Sequence, residues 1–139
     1  MQISLKIHRL SHFFSTIVPL ISRFFDFVNL IIFNCWIPGK AKIGKGTKLS
    51  KGGIAVVIHR RAKIGKNCLI GTCVTIGGRS KLYEVPVIGN NVYISTGAKL
   101  LGNITIGDNV IIGANSVVLN DIPKNSIAVG IPARIIDKK

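Results

Sequence analysis

Residues 88–123 read IGNNVY, ISTGAK, LLGNIT, IGDNVI, IGANSV and VLNDIP when they are divided into groups of six. An aliphatic residue opens every group, and a small or β-branched residue stands four places later. This period matches neither the repeat of a helix face, about 3.6 residues, nor the two-residue alternation of a simple strand. It is typical of a parallel β-solenoid built from coils of about eighteen residues. We therefore expect the opening residues to form interior stacks, and the Gly and Asn residues after them to form corners with positive φ.

The same repeat extends upstream, with two interruptions. It begins at Ile37, shifts by three residues around Lys51, and resumes at Ile58. Residues 79–86 carry no repeat, but Ile76 and Ile88 are twelve positions apart, so the frame is preserved across them. After residue 123 a tail follows, in which Pro132 fixes a turn and Arg134 is expected to project. The sequence thus predicts a helical segment over 1–36 and a solenoid domain with its tail over 37–139.

The N-terminal segment has the pattern of an amphipathic helix. Apolar residues recur at spacings of three and four, as in Ile3, Ile7 and Leu10, and polar residues such as Ser4 and His8 lie on the opposite face. Pro19 is expected to break or kink the helix. Three destinations are open for the apolar face: packing on the solenoid or a neighbouring subunit, lying in a membrane interface, or spanning a membrane. The longest uncharged run, about thirteen residues, is shorter than the roughly twenty that a spanning helix needs. No small-residue cleavage site marks the segment as a cleaved signal.

The charge balance is strongly basic. The chain has 139 residues with nineteen Lys+Arg against five Asp+Glu, a formal net charge of +14. Such an excess favours anionic partners, either lipid headgroups or phosphate-bearing ligands. The basic residues are scattered and no nucleic-acid-binding motif accompanies them, so we do not expect nucleic acid as a partner. Three cysteines fit no disulfide framework. They favour a reducing cytoplasm, with peripheral attachment at the inner membrane face as the alternative location.

Four stretches carry a resemblance to a known family: VTIGG (74–78), GAKLLGNITIG (97–107), IGANSVV (112–118) and GIPARII (130–136). Over residues 37–136 the chain resembles the hexapeptide-repeat acyltransferases, and the serine acetyltransferase branch in particular. The resemblance implies an all-β fold, a left-handed parallel β-helix with an N-terminal α-helical segment, assembled as a homotrimer. It also implies an O-acetyltransferase that moves an acetyl group from acetyl-CoA to a small hydroxyl acceptor. That acceptor is serine, or a sugar in polysaccharide biosynthesis.

The resemblance also suggests the residues that bind CoA in the groove between neighbouring subunits. Ala114 is small enough to let the pantetheine arm approach its coil, and Leu119 and Asn120 would lie along the same arm. Arg134 would face the nucleotide phosphates, since a guanidinium can fork onto phosphate oxygens. The structural alternative for Ala114 is a corner packing role.

The catalytic base is the open question. Acetyl transfer needs a group that removes the hydroxyl proton, and histidine suits this best. The positions of the two histidines of the serine acetyltransferase branch fall here on Lys51 or Gly52, and on Val85. Three alternatives follow: His59 is the base, with Arg60 and Arg61 holding it neutral; Lys51 or Glu84 takes the role; or the chain has lost its base. In the last case it would be a weak or inactive trimer that serves as a scaffold or membrane-associated binding module.

A metal site is not expected. Carbonic anhydrases with this fold bind zinc through three histidines, and His59 is the single histidine between residues 37 and 136.

Overall fold

A computed structural model describes residues 3–136, apart from the side chains of residues 16 and 17; the last three residues of the expected tail lie outside it. Two helices come first, α1 (Ile3–Ile17) and α2 (Pro19–Phe33). The strands follow in this order: β1 (Lys42–Ile43), β2 (Lys48–Leu49), β3 (Val57–Ile58), β4 (Lys63–Ile64), β5 (Leu69–Ile70), β6 (Thr75–Gly77), β7 (Val87–Ile88), β8 (Tyr93–Ile94), β9 (Lys99–Leu101), β10 (Thr105–Ile106), β11 (Ile111–Ile112), β12 (Val117–Val118), β13 (Ile127–Gly130) and β14 (Ala133–Ile136). A 3₁₀ turn, Ser50–Gly53, separates β2 from β3.

The strands form three walls of a solenoid. Wall A contains β3, β6, β9 and β12; wall B contains β1, β4, β7 and β10; wall C contains β2, β5, β8, β11, β13 and β14. The chain runs from wall A to B to C and back to A, and strands of successive coils pair in parallel. Among the strands of residues 3–136, only β14 runs antiparallel, folding back on β13. The coils comprise residues 36–49, 57–70, 75–94, 99–112 and 117–128, with Trp36 bridging to Val57.

The interior stacks are confirmed. Every residue that opens a repeat between 88 and 123, and every residue four places later, is buried. In each short strand the neighbour of the buried aliphatic points outward, so one residue per strand fills the core and the other meets solvent.

The corners correct one detail of the expectation. Positive φ falls on the fourth residue of the repeat, where Asn91, Asn109 and Asn115 have φ of 56–57°. The glycines directly after the aliphatics have a different function: a Cβ on Gly65 or Gly107 would overlap backbone atoms of the next coil. They permit the close approach of adjacent coils, while asparagine tolerates the left-handed conformation. The asparagines also bond to each other, Asn91 Nδ2 to Asn109 Oδ1 at 3.2 Å.

Both interruptions of the repeat bulge outward without disturbing the frame. The three-residue shift forms the 3₁₀ turn, in which Lys51, Gly52 and Gly53 all have positive φ. Residues 79–86 leave the solenoid between β6 on wall A and β7 on wall B, and we call this segment the excursion loop. β7 still pairs with β4 in register, Val87 opposite Lys63.

The helical segment departs from expectation in its orientation. The break at Pro19 is confirmed, because Pro19 opens α2 and the two helices form a hairpin. The polar face, however, is buried, whereas the apolar face is exposed. The buried polar residues are Ser4, His8, Ser11, Ser22, Asp26 and Asn29. The exposed apolar residues are Ile3, Leu10, Phe13, Leu20, Ile21, Phe24, Phe27, Ile31 and Ile32. These exposed side chains therefore do not pack on the solenoid, whereas Leu5 of α1 is buried in the solenoid's core cluster and Phe33 of α2 packs against it.

Hydrogen bonds explain why the polar face turns inward. Asp26 Oδ1 accepts from Ser11 Oγ at 2.5 Å and from Gly39 N at 3.1 Å, joining both helices to the start of the solenoid. His8 Nδ1 lies 3.2 Å from the Ile37 carbonyl, to which it donates. Burial is the largest influence on His8 and lowers its pKa to about 4. Over residues 3–136, neither helix has the length and apolar character that crossing a membrane requires.

Candidate functional site

His59 follows β3 at the corner where wall A turns into wall B, which we call the A–B corner. It is half-buried and lines a groove of about 320 Å³, the His59 groove. The other lining residues are Trp36, Pro38, Val57, Ile58, Arg60, Ile76 and Gly77. The imidazole therefore lies beside a mostly apolar wall rather than on a bare corner.

The surroundings of His59 keep its ring neutral. Burial lowers its pKa first, followed by the charges of Arg61 and Arg60, so the expected influence of the arginines is present but secondary. Nδ1 accepts a hydrogen bond from the Arg61 backbone N–H at 3.2 Å. A neutral ring with Nδ1 as acceptor carries its proton on Nε2. In this arrangement Nε2 can donate to an acceptor oxygen, whereas taking a proton requires the Arg61 bond to open.

The other candidate bases lie elsewhere. Lys51 is exposed in the 3₁₀ turn, with φ of 48°, at the C–A corner where wall C passes into wall A. Glu84 is exposed in the excursion loop, facing wall B. Val85, at one position where the serine acetyltransferase branch has a histidine, is a buried side chain.

The expected CoA-binding residues occupy two corners and the tail. Ala114 follows β11 at the C–A corner and is exposed. Leu119 and Asn120 follow β12 at the A–B corner, in line with His59 but about three coils, roughly 14 Å, further along the solenoid. Arg134 is exposed on β14, opposite Val129 at the edge of wall C.

One chain thus divides the candidate residues between two corners separated by wall A. His59 shares the A–B corner with Leu119 and Asn120, while Lys51 shares the C–A corner with Ala114. A site that used both sets would need the A–B corner of one subunit to face the C–A corner of another.

The sequence did not reveal a cluster of basic side chains on wall B. Lys40, Lys42, Arg60, Arg61 and Lys63 line a groove of about 560 Å³, together with Glu84, Val85 and Val87, which we call the basic groove. In sequence these residues form two groups about twenty positions apart; the register places Lys42 beside Lys63, and the corner brings Arg60 and Arg61 alongside. A signal was available, since the outward positions of the first two wall B repeats are both lysine.

The outward residues of wall C were also not singled out. Leu69, Tyr93 and Ile111 lie in register on successive coils, and each is about 40% exposed. They make an apolar stripe along this wall, in contrast to the lysines of wall B.

In the part of the chain that the structure describes, no three His, Cys, Asp or Glu side chains lie close enough to hold a metal ion.

Comparison with known proteins supports the resemblance. The family model for the bacterial transferase hexapeptide (six repeats) matches residues 86–120. Soybean serine acetyltransferase complexed with serine has a TM-score of 0.90 at 36% identity. The match covers 96% of this chain and 56% of the soybean chain. Serine acetyltransferase of Neisseria gonorrhoeae has a TM-score of 0.90 at 33% identity, and the match covers 96% of this chain and 54% of the Neisseria chain. A serine acetyltransferase in complex with CoA has a TM-score of 0.88 at 32% identity, and the match covers 96% of this chain and 55% of that enzyme's chain.

This chain is a hexapeptide-repeat protein with the fold of the serine acetyltransferases. It spans about half the length of the solved serine acetyltransferases that it matches. A comparison with curated protein sequences gives no significant match. The hexapeptide-repeat match covers the most regular coils, and the structural match extends it to nearly the whole chain, including the helical hairpin.

Proposed function

We propose that this hexapeptide-repeat protein is an acetyl-CoA-dependent O-acetyltransferase acting on a small hydroxyl acceptor. The observation that carries the proposal is structural likeness over 96% of the chain to serine acetyltransferases, one of them in complex with CoA. Ala114, Leu119, Asn120 and Arg134 are the proposed CoA contacts. We also propose that the coils wind left-handed, as the family resemblance implies.

The proposed active form is a trimer with its sites between subunits. The division of the candidate residues between two corners supports this, because no single chain joins His59 to Ala114. The apolar stripe of Leu69, Tyr93 and Ile111 on wall C supplies a surface whose burial would stabilise such an assembly.

In the proposed reaction the acceptor hydroxyl attacks the thioester carbon, the carbon–sulfur bond breaks, and CoA leaves with a proton. His59 is the preferred candidate for the base, because burial and the neighbouring arginines keep its ring neutral. Acting as the base requires Nδ1 to release the Arg61 N–H and accept the hydroxyl proton instead. Lys51 is the second candidate, on the opposite corner.

Two acceptors are proposed. The soybean relative complexed with serine supports serine. The basic groove favours the second candidate, a sugar carried on an anionic precursor of polysaccharide biosynthesis, because its cations lie beside the His59 groove.

We further propose that the protein is cytoplasmic and attaches peripherally to the inner face of the membrane. The outward face of α2 presents Leu20, Phe24, Phe27 and Ile31, spaced by four, three and four residues. Exposed Arg23 lies on the same helix and complements anionic headgroups. The three cysteines are free, which agrees with a reducing compartment.

Calorimetry with CoA tests the enzyme class. We expect the chain to bind CoA, and Arg134→Ala to weaken binding by about tenfold or more through the loss of a charge-assisted hydrogen bond. Arg79→Ala, which removes an exposed arginine on the excursion loop, is the matched control. Absence of CoA binding would favour the non-catalytic scaffold instead.

Acetyl transfer, measured with labelled acetyl-CoA against serine and against sugars, tests the reaction. His59→Ala should lower turnover by about 10²–10⁴ while leaving CoA affinity nearly unchanged. Because the pKa of His59 is lowered, activity should rise with pH through a transition below the usual histidine value. Normal turnover in His59→Asn would remove His59 from the mechanism and direct attention to Lys51.

Sedimentation equilibrium tests the assembly. Tyr93→Asp and Ile111→Asp should convert the trimer to monomers, since each places a charge in the apolar stripe on wall C. A monomeric wild-type chain at micromolar concentration would remove the shared site.

A further inference from the structure

The basic groove brings five cationic side chains together with one carboxylate, that of Glu84. Lys42 on β1 and Lys63 on β4 are direct partners in adjacent parallel strands, so their Cα atoms lie at strand spacing, about 4.8 Å. Like charges directly opposite each other in a sheet destabilise it. Within residues 3–136, no carboxylate forms an ion pair with Lys40, Lys42, Arg60 or Lys63. Lys42 and Lys63 therefore repel each other, and neither forms a salt bridge within residues 3–136.

One cation of the groove is held in place. The Arg61 guanidinium donates through Nη2 to the Tyr83 carbonyl and lies over the Tyr83 ring, with its Cζ 3.7 Å from the ring centroid. Because Tyr83 belongs to the excursion loop, this contact ties the loop to the A–B corner and forms one side of the groove. Part of the binding surface is thus ordered before any ligand arrives.

The groove opens towards the candidate reaction centre. Arg60 lines both the basic groove and the His59 groove, so the two share a wall. An anion bound among the lysines would direct the rest of its molecule along this shared wall towards His59.

The number and spread of the cations indicate the kind of anion. Free serine is a zwitterion, and five cationic side chains with a single carboxylate would repel its ammonium group as strongly as they attract its carboxylate. A phosphate or diphosphate carries more negative charge over several oxygens, which suits point-charge lysines and forked arginines. A volume of about 560 Å³ also lies in the range typical of ligand sites.

We propose that the basic groove binds the phosphate or diphosphate group of the acceptor, so that the acetylated hydroxyl belongs to a phosphate-linked sugar. This assignment rests on the proposed acetyltransferase function. CoA also carries phosphates, so the same chemistry has a second source, and the experiment must separate the two.

Titration of the full chain with inorganic pyrophosphate, followed by calorimetry, is the first measurement. The double variant Lys42→Gln/Lys63→Gln should bind pyrophosphate at least about tenfold more weakly, since it loses two charge-assisted contacts. The matched control Lys48→Gln/Lys66→Gln removes the same charge from outside the groove and should change the affinity less than about twofold. No measurable binding, or equal weakening in both double variants, would overturn the proposal.

Repeating the titration at saturating CoA shows whether the groove binds the phosphate of the acceptor or the phosphates of CoA. Pyrophosphate should still bind to the wild-type chain. The double variant Lys42→Gln/Lys63→Gln, here called the groove variant, should keep its CoA affinity. Competition between the two ligands, together with loss of CoA affinity in the groove variant, would assign the groove to the cofactor and overturn the acceptor assignment.

Acetyl transfer to UDP-N-acetylglucosamine and to free N-acetylglucosamine completes the test. The groove variant should lower kcat/KM for the nucleotide-linked sugar about tenfold and leave the value for the free sugar unchanged. If no acceptor is acetylated but pyrophosphate binding still depends on Lys42 and Lys63, the groove is supported while the proposed reaction fails. Equal loss with both sugars would overturn a role in holding the phosphate.

Discussion

The solenoid and the helical hairpin treat apolar residues in opposite ways. In the solenoid, Ile94 and its equivalents are buried, and most polar residues lie at corners or at outward strand positions such as Lys42 and Lys63. In the hairpin, Ser11 and Asp26 are buried, whereas Phe24 is 60% exposed. The solenoid therefore buries its apolar residues between its own coils, whereas the hairpin buries hydrogen-bonding groups and leaves much of its apolar surface exposed. The solenoid therefore covers its own apolar stacks, whereas the hairpin presents apolar side chains that the chain itself leaves uncovered.

Matched deletions of large apolar side chains should show the greatest contrast. Ile94→Ala removes a fully buried side chain from the interior stack and should lower the unfolding free energy by about 2–5 kcal/mol. Phe24→Ala removes a larger but exposed side chain and should change it by less than about 0.5 kcal/mol in lipid-free solution. Urea unfolding measures both. A large loss in Phe24→Ala would mean that its face is already covered, for instance by a neighbouring subunit.

The buried histidine of the hairpin should make its attachment sensitive to acid. The pKa of His8 falls to about 4 in the folded chain from an ordinary value of 6.5, since burial disfavours the charged ring. Between these values the unfolded state binds the proton and the folded state does not. The unfolding free energy should therefore fall as the pH drops from 6.5 to 4, by up to about 3 kcal/mol.

The pH dependence of urea unfolding in wild type and His8→Gln isolates this contribution. The variant should lose most of the slope between pH 6.5 and 4. Asp26, also in the hairpin, acts in the opposite direction: burial raises its pKa, so its contribution decreases as the pH rises. Adding Asp26→Asn to both proteins removes that overlap. An unchanged slope in His8→Gln would contradict the burial of a neutral ring.

The exposed face of α2 should bind anionic lipid. Phe24→Ser/Phe27→Ser should weaken binding to phosphatidylglycerol vesicles by about 10² or more, because each phenylalanine contributes about 1.5–3 kcal/mol when it leaves water. Ile54→Ser, which changes an exposed apolar residue beside the 3₁₀ turn, is the control. Co-sedimentation at increasing salt should show a steep loss of binding. Equal affinity of wild type and the double variant would place any lipid contact on the solenoid.

The smallest contrast concerns two buried serine hydroxyls. Ser4 Oγ in the hairpin has no hydrogen-bond partner among the described residues, whereas Ser116 Oγ in the solenoid accepts from Gly130 N at 3.1 Å. Ser4→Ala should raise the unfolding free energy by about 1 kcal/mol, and Ser116→Ala should lower it by a similar amount. Thermal unfolding of the two variants gives the signs. A loss in both would show that Ser4 has a partner in the assembled protein.

The periodic part of the sequence predicted the solenoid well because a six-residue repeat specifies which residues point inward. The same pattern located the 3₁₀ turn near Lys51 and the excursion loop before Val87. The hairpin was different: its period gave the helices and the break at Pro19, but period alone does not say which face turns inward. That choice depends on specific partners, such as the Gly39 N–H that bonds to Asp26.

The sequence indicated individual candidate residues such as His59, but it did not indicate which side chains lie next to each other in the fold. His59 was singled out as the one solenoid histidine, and its Arg61 N–H contact depends on a corner conformation that the sequence does not encode visibly. The basic groove was not predicted, because Lys42 and Lys63 become neighbours only through the register of adjacent coils. Long-range neighbours of this kind require the number of residues in each coil, which the interruptions alter.

The excursion loop lies outside the paired strands of the solenoid. β7 keeps its register with β4 whatever leaves the solenoid between residues 79 and 86, since both ends of the loop return to walls that are already paired. Changes among the exposed residues 79–84 should therefore cost the coils little, whereas Val85 and Pro86, which are buried, are constrained. Because Glu84 lines the basic groove and Tyr83 contacts Arg61 of that groove, such changes fall on or beside the surface proposed to meet the acceptor. Sequence changes there would reshape the surface proposed to bind the acceptor while the paired coils keep their register.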